Sequence, residues 1–171
     1  LLLFFCWYLG VAKSWYIICG LITIFLGACD DVKHISWKIK LCVQLILGLY
    51  ISSVFWNQFD SISFYNLTFS INQTLLLFLF LFWFVGIYNA VNLLDGLDGL
   101  AGGFIFVICI ISALIENSLL SQINFILAIL LIGFLIFNQR PALLFMGDSG
   151  SLFLGYHVAV LPLLYIDGSN K

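Results

Sequence analysis

Charge is scarce in this chain. Of its 171 residues, six are Lys or Arg and eight are Asp or Glu, so 8% of the sequence is charged against 64% hydrophobic. A water-soluble domain needs a charged exterior that this composition cannot supply. A net charge of −2, with no basic stripe, also excludes a nucleic-acid footprint. Only two histidines occur, His34 and His157, and neither has an H-x-x-x-H or cysteine companion, so no zinc site is indicated. His157 falls inside an apolar run, where it packs or hydrogen-bonds. The five cysteines (Cys6, Cys19, Cys29, Cys42, Cys109) lie in apolar runs without CxxC spacing and read as small buried hydrophobes. Neither a phosphate P-loop nor a Ser-His-Asp order is present. An initiator Met is lacking, and residues 1–12 carry no basic stretch or cleavage site. A signal peptide is therefore not expected, and the chain reads as the middle of a longer protein.

What is abundant is apolar sequence, with a mean hydropathy of +1.19. Apolar stretches at 1–12, 15–29, 41–56, 74–91, 102–116, 122–137 and 151–166 predict an all-α, polytopic integral membrane protein with about six transmembrane helices. Alternating the connections across the bilayer puts 30–40, 92–101 and 138–150 on one side. That side collects Lys33, Lys38, Lys40 and Arg140, against Lys13 and Lys171 opposite, which points to the cytoplasm. Asp30, Asp31, Asp95, Asp98 and Asp148 fall on the same side. The opposite connection, 57–73, predicts a short hairpin or interfacial segment. Its two N-x-T sequons, at Asn66 and Asn72, carry little weight. The tryptophans lie mostly near predicted span ends, as interface anchors do.

Three acidic clusters share that face. In GACDD, Asp30 and Asp31 are adjacent and would point about 100° apart on a helix, so they serve different partners. A helix stop in the headgroup region is the plainer reading. In NLLDGLDG, Asn92, Asp95 and Asp98 recur every three residues and would form one polar edge of a helix. The surrounding glycines permit close backbone approach or a break. In NQRPALLFMGDSGS, Asp148 stands where the last span begins. It is either an N-cap or a hard-cation ligand beside a phosphate. Five carboxylates on one face repel one another unless some bind cations or protons, and Mg2+ bridging phosphates needs only one or two of them.

The segments GACDDVKHISWKIKLCVQ, NAVNLLDGLDGLAGG and FNQRPALLFMGDSGSLFLG resemble, in order, three cytoplasmic-side motifs of the polyprenyl-phosphate N-acetylhexosamine-1-phosphate transferases. The resemblance implies a multi-pass inner-membrane enzyme, of which residues 1–171 are a partial transmembrane catalytic domain. Such enzymes move a sugar-1-phosphate from a UDP-sugar to polyprenyl phosphate, release UMP and use Mg2+, with Mn2+ as a substitute. They serve cell-wall and lipopolysaccharide biogenesis. By position, Asp30 and Asp31 match the pair near the lipid phosphate, with Asp30 the preferred base. Asp148 matches the metal ligand. Asn92, Asp95 and Asp98 match the active-site edge, with Gly96, Leu97 and Asp98 toward the uracil. Asn138 and Phe145 match the nucleotide pocket, Phe145 by stacking, and Lys40 matches a basic position. The implied partners are the lipid phosphate, a UDP-N-acetylhexosamine, membrane lipids and a second copy of the chain in a homodimer.

Two departures stand out. Trp37 replaces a proline common in the family, and the family's upstream Pro/Gly motif and downstream histidine loop lie outside the chain. The form of the second and third motifs leans toward N-acetylglucosamine rather than phospho-N-acetylmuramoyl-pentapeptide as the transferred sugar. A carboxylate-lined transporter is the non-enzymatic rival, predicting acidic residues at mid-span; a catalytically dead membrane subunit is another.

Overall fold

The structure is a computed structural model that describes residues 13–56, 61–64, 67–70, 72–115 and 119–169. Six helices account for most of it: α1 (Ser14–Val32), α2 (Trp37–Val54), α3 (Gln73–Leu94), α4 (Leu100–Ile115), α5 (Leu119–Asn138) and α6 (Gly147–Ser169). Between α2 and α3 lies a two-stranded antiparallel hairpin, β1 (Ser61–Phe64) and β2 (Leu67–Ser70), with Ser61 opposite Ser70 and Phe64 opposite Leu67. The hairpin answers one of the two readings of that connection. Sequon residue Asn66 lies outside the described residues, as do Cys6, Trp7 and Lys171. Asn72 instead caps α3, its side chain accepting from the Thr74 amide at 2.8 Å.

Four segments are long and apolar enough to cross a bilayer among the described residues: α1, α2, α3 and Leu120–Asn138 of α5. The chain is thus an all-α polytopic membrane protein with a small hairpin, and the expected six spans reduce to these four by length and composition. The other two helices fall short for different reasons. With 16 residues, α4 extends only ~24 Å, less than a hydrocarbon core of ~30 Å. Helix α6 carries Asp148, Ser149, Ser151, His157 and Pro162, and its neighbours shield it.

That shielding organises the fold. Helix α6 packs along both α1 and α3, α2 lies on α3, and α4 pairs with α5. Every residue from Ser151 to Leu161 is buried. Close approach on both flanks needs missing side chains. A Cβ at Gly27 of α1 would lie 2.4 Å from the Cα of Ser149, and one at Gly155 would lie 2.7 Å from the carbonyl oxygen of Tyr88 on α3. Small residues at helix contacts replace the hydrophobic drive that lipid removes. Around α6, Tyr16, Phe84, Tyr88 and Tyr156 form an aromatic layer with neighbouring ring centroids 5.5–6.4 Å apart.

Polar bonds pin the helices inside this layer. Tyr16 Oη lies 2.8 Å from His157 Nδ1, and His157 Nε2 lies 2.8 Å from Asn124 Oδ1, linking α1, α6 and α5. Gln44 and Asn89 exchange amide bonds of 3.2 and 2.8 Å between α2 and α3. Trp83, expected as an interface anchor, sits within α3 and donates to the Ala159 carbonyl at 3.0 Å. Of the described cysteines, Cys19 and Cys109 are buried, Cys29 is partly buried and Cys42 is exposed on the outer face of α2, so burial does not hold for all of them.

Candidate functional site

Three connections meet at one end of the bundle, because alternate turns of an up-and-down chain return there. Between α1 and α2, residues 33–36 form a tight corner, with the Lys33 amide closing the last turn onto Cys29 and the Ile35 amide donating to Asp30. Helix α2 then starts at Trp37, the first helical position, where proline is also favoured. The substitution therefore leaves the helix start in place. Helix α3 stops at Leu94, and the turn through Gly96 to Gly99 ends with Gly99 at φ +73°, a left-handed conformation suited to glycine.

The Asp30 and Asp31 side chains part company, as adjacent helical positions require. Asp30 is buried, with 7% of its surface exposed, and accepts from the Ile35 amide and, at 2.6 Å, from Lys40 Nζ. Lys40 also donates to Asp148 Oδ2 at 3.0 Å. On the other side of that carboxylate, Asn92 Nδ2 lies 3.1 Å from Asp148 Oδ1 and 2.8 Å from Ser151 Oγ. Asp31 faces α6, where Oδ1 accepts from the Asp148 amide at 2.8 Å and Oδ2 from the Ser149 amide at 3.2 Å. Asp30, Asp31, Lys40, Asn92 and Asp148 thus form one hydrogen-bonded group drawn from α1, α2, α3 and α6.

Helix α6 begins at Gly147, so Asp148 lies inside the first turn, and the N-cap reading of Asp148 does not hold. The single polar edge also divides. Asn92 belongs to α3 and Asp95 follows its last residue, but Asp98 lies beyond the break and turns toward the next connection. Its Oδ2 accepts from the Ala142 amide at 3.2 Å. Asn138 ties the same two connections, accepting from the Gly99 amide at 3.0 Å and donating to the Leu144 carbonyl at 2.8 Å. Beside them, Leu97 and Phe145 are 66% and 69% exposed, and Gly96 is exposed too. Phe145 borders a cavity of about 290 Å3 with Phe134, Met146 and Phe153.

Asp95 differs from its neighbours. Among the described residues no donor reaches its carboxylate. Burial, with the charges of Asp148 and Asp31, pushes its pKa up to about 6. A half-desolvated carboxylate without a donor is satisfied by a proton or a cation. Among the described residues no group of three or more His, Cys, Asp or Glu closes around a metal.

Ser151 was not singled out in the sequence. Its spacing of three from Asp148 places both on one face of α6, which was the available signal. The amides of Ile35, Ala142, Asp148 and Ser149 carry no sequence signal at all, since any residue supplies one.

The profile of glycosyl transferase family 4 matches residues 14–166. The chain is 38% identical over 148 residues to the probable undecaprenyl-phosphate N-acetylglucosaminyl 1-phosphate transferase of Bacillus subtilis (strain 168), covering 84% of this chain and 41% of that protein. It is 36% identical over 157 residues to the phospho-N-acetylmuramoyl-pentapeptide-transferase of Streptococcus thermophilus (strain CNRZ 1066), covering 81% and 44%. With the protein of that name from Leuconostoc citreum (strain KM20), it shares 38% over 153 residues, covering 81% and 48%. The chain spans less than half the length of each of these relatives.

Proposed function

The chain belongs to glycosyl transferase family 4, and from that premise we propose that the protein moves a sugar-1-phosphate from a UDP-linked N-acetylhexosamine to polyprenyl phosphate at the membrane, releasing UMP. The observation that carries this reading is Lys40, shared between Asp30 and Asp148 where four helices meet. A cation held by two carboxylates at a membrane face can exchange them for phosphate oxygens.

In this reading a phosphate oxygen of the lipid attacks the β-phosphorus of the UDP-sugar in line. The bond to the α-phosphate oxygen breaks, and UMP departs with the electron pair. A phosphate monoester is already largely ionised near neutral pH, its second pKa being about 6. Asp30, engaged by Lys40 and the Ile35 amide, therefore serves mainly to hold Lys40 toward the phosphates. Asn92 orients the Asp148 carboxylate, and Asp98 and Asn138 fix the two connections that frame Phe145, whose exposed ring offers a stacking face for uracil. Asp148, with Asp95 and Asn92 beside it, would hold Mg2+. The ion would supply charge stabilisation at the pyrophosphate.

Relatives of both sugar types match at similar identity, and the phospho-N-acetylmuramoyl-pentapeptide reading has the better support. The lean toward N-acetylglucosamine rests on motif form alone. The Lys and Arg excess on this side supports a cytoplasmic site in the inner membrane. Carboxylates at helix ends rather than mid-span weigh against a transporter.

The test is to incubate the purified full-length protein with polyprenyl phosphate, Mg2+ and either labelled UDP-N-acetylglucosamine or labelled UDP-N-acetylmuramoyl-pentapeptide. Labelled lipid with stoichiometric UMP from one donor is expected. A well-folded preparation that yields neither product from either donor overturns the reading.

A further inference from the structure

We propose that Asp31 is a positioning residue: its carboxylate is the N-terminal cap of α6, supplied from α1, and it sets the placement of Asp148 rather than touching substrate. The inference rests on the transferase reading only in giving Asp148 its chemical role.

Helix α6 has an N-terminal problem that its own sequence does not solve. Its first amides have no intrahelical acceptor, and the residues before it, Leu144, Phe145 and Met146, offer no capping side chain. Asp31 fills the gap with both oxygens, one on the Asp148 amide at 2.8 Å and one on the Ser149 amide at 3.2 Å. The negative charge lies at the positive end of the helix dipole, which offsets repulsion from Asp148.

Two glycines make room for this contact. Gly147 has φ +69°, and the space its Cβ would take is 3.1 Å from both Asp31 oxygens. Gly27, one turn before Asp31 on the same face of α1, meets the Ser149 backbone directly. The α1 end is therefore seated against the α6 start by backbone contact, and the carboxylate completes the joint. Asp30 points elsewhere, to Ile35 and Lys40. The adjacent pair thus divides its labour: one member fixes Lys40 and the other fixes Asp148.

The test compares Asp31→Ala and Asp31→Asn in the full-length protein in lipid nanodiscs. Asp31 is exposed, so neither change touches the core. Asparagine caps helices nearly as well as aspartate but cannot accept a proton as a carboxylate does. Hydrogen exchange at the Asp148 and Ser149 amides is read alongside turnover. In Asp31→Ala, exchange there should accelerate about fivefold or more, the size of a lost cap, and kcat should fall with little change in KM for the nucleotide sugar. Asp31→Asn keeps one acceptor oxygen and so should restore protection at one of the two amides, together with part of the lost kcat. Unchanged amide exchange in Asp31→Ala overturns the proposal. So does an Asp31→Asn protein that regains protection at one amide but has no more turnover than Asp31→Ala, because the carboxylate would then be doing chemistry. The exchange arm needs no substrate, so a folded wild type that transfers no sugar sinks the transferase reading and leaves the cap to be decided by exchange.

Discussion

Gly27 of α1 faces the backbone of Ser149 on α6 so closely that a Cβ on the glycine would lie 2.4 Å from the Ser149 Cα. No flexible side chain can yield there. Gly27→Ala should therefore force α1 and α6 apart just beneath Asp31 and Asp148, costing about 1–3 kcal/mol as overpacking does. Gly86, also helical, has open space at its Cβ position, and Gly86→Ala should be neutral or stabilising by up to about 1 kcal/mol. Thermal unfolding of the two variants in one detergent tests the contrast. Equal melting temperatures would show that the close approach does not bind the helices.

Asp95 predicts a pH dependence of stability. Its pKa is raised to about 6, through burial and the charges of Asp148 and Asp31, whereas the unfolded chain titrates near the ordinary aspartate value of about 4. Between these values the folded protein binds the extra proton. This carboxyl's contribution is therefore most favourable below about pH 4 and is lost as pH rises through about 6. Asp95→Asn should unfold at a higher temperature than wild type at pH 7.5, with the gap closing toward pH 4. Added Mg2+ should raise the wild-type midpoint at pH 7.5 more than that of the variant. A gap independent of pH would mean that the carboxylate is not desolvated as described.

The meeting of the three acidic segments was legible because it depends only on chain direction. Apolar runs of spanning length, taken in turn, return residues 30–40, 92–101 and 138–150 to one end. Divergence of Asp30 and Asp31 followed from the 100° step of a helix. What could not be read was set by tertiary contact or by backbone breaks. Gly96 and Gly99 end the regular helix between Asp95 and Asp98, so a three-residue spacing that looked like one edge serves two neighbours. Asp148 resembled a cap because the sequence does not reveal that Asp31, 117 positions earlier, caps the same helix. By length and hydropathy the expected six spans come down to four among the described residues, because α4 is short and α6 is shielded by its neighbours. A helix enclosed by α1 and α3 can carry His157 and two serines, and its hydropathy then understates its depth.

His157 tests how much such a buried polar group contributes. It joins Tyr16 and Asn124 through bonds of 2.8 Å each, tying α6 to both α1 and α5. Interhelical bonds within membranes contribute about 0.6 kcal/mol on average and up to about 1.7. A double-mutant cycle of Tyr16→Phe with His157→Phe should give a coupling of about 1 kcal/mol in reversible unfolding from mixed micelles. Additivity within error would mean that the two side chains pack without bonding.

Lys40 separates stability from function more sharply. It is the cation that reaches both Asp30 and Asp148, and Asp30 is the buried member of the group. Removing the ammonium takes a charged donor from that buried carboxylate and leaves it beside Asp148 with the Ile35 amide as its backbone donor, and breaking a buried pair from one side costs about 3–5 kcal/mol; here partial exposure of Lys40 should hold the loss to about 2 kcal/mol. Lys40→Met should also lower kcat/KM for transfer by about 100-fold, the scale set by losing one preorganised donor to developing phosphate charge. Adding Asp30→Asn to Lys40→Met removes the stranded charge. The double variant should therefore regain most of the lost stability while remaining as slow as the single one. Unfolding midpoints and UMP release, measured on the same preparations, give both answers. If activity returned together with stability, Lys40 would be a structural counter-ion to Asp30, and the phosphate role proposed for it would fall.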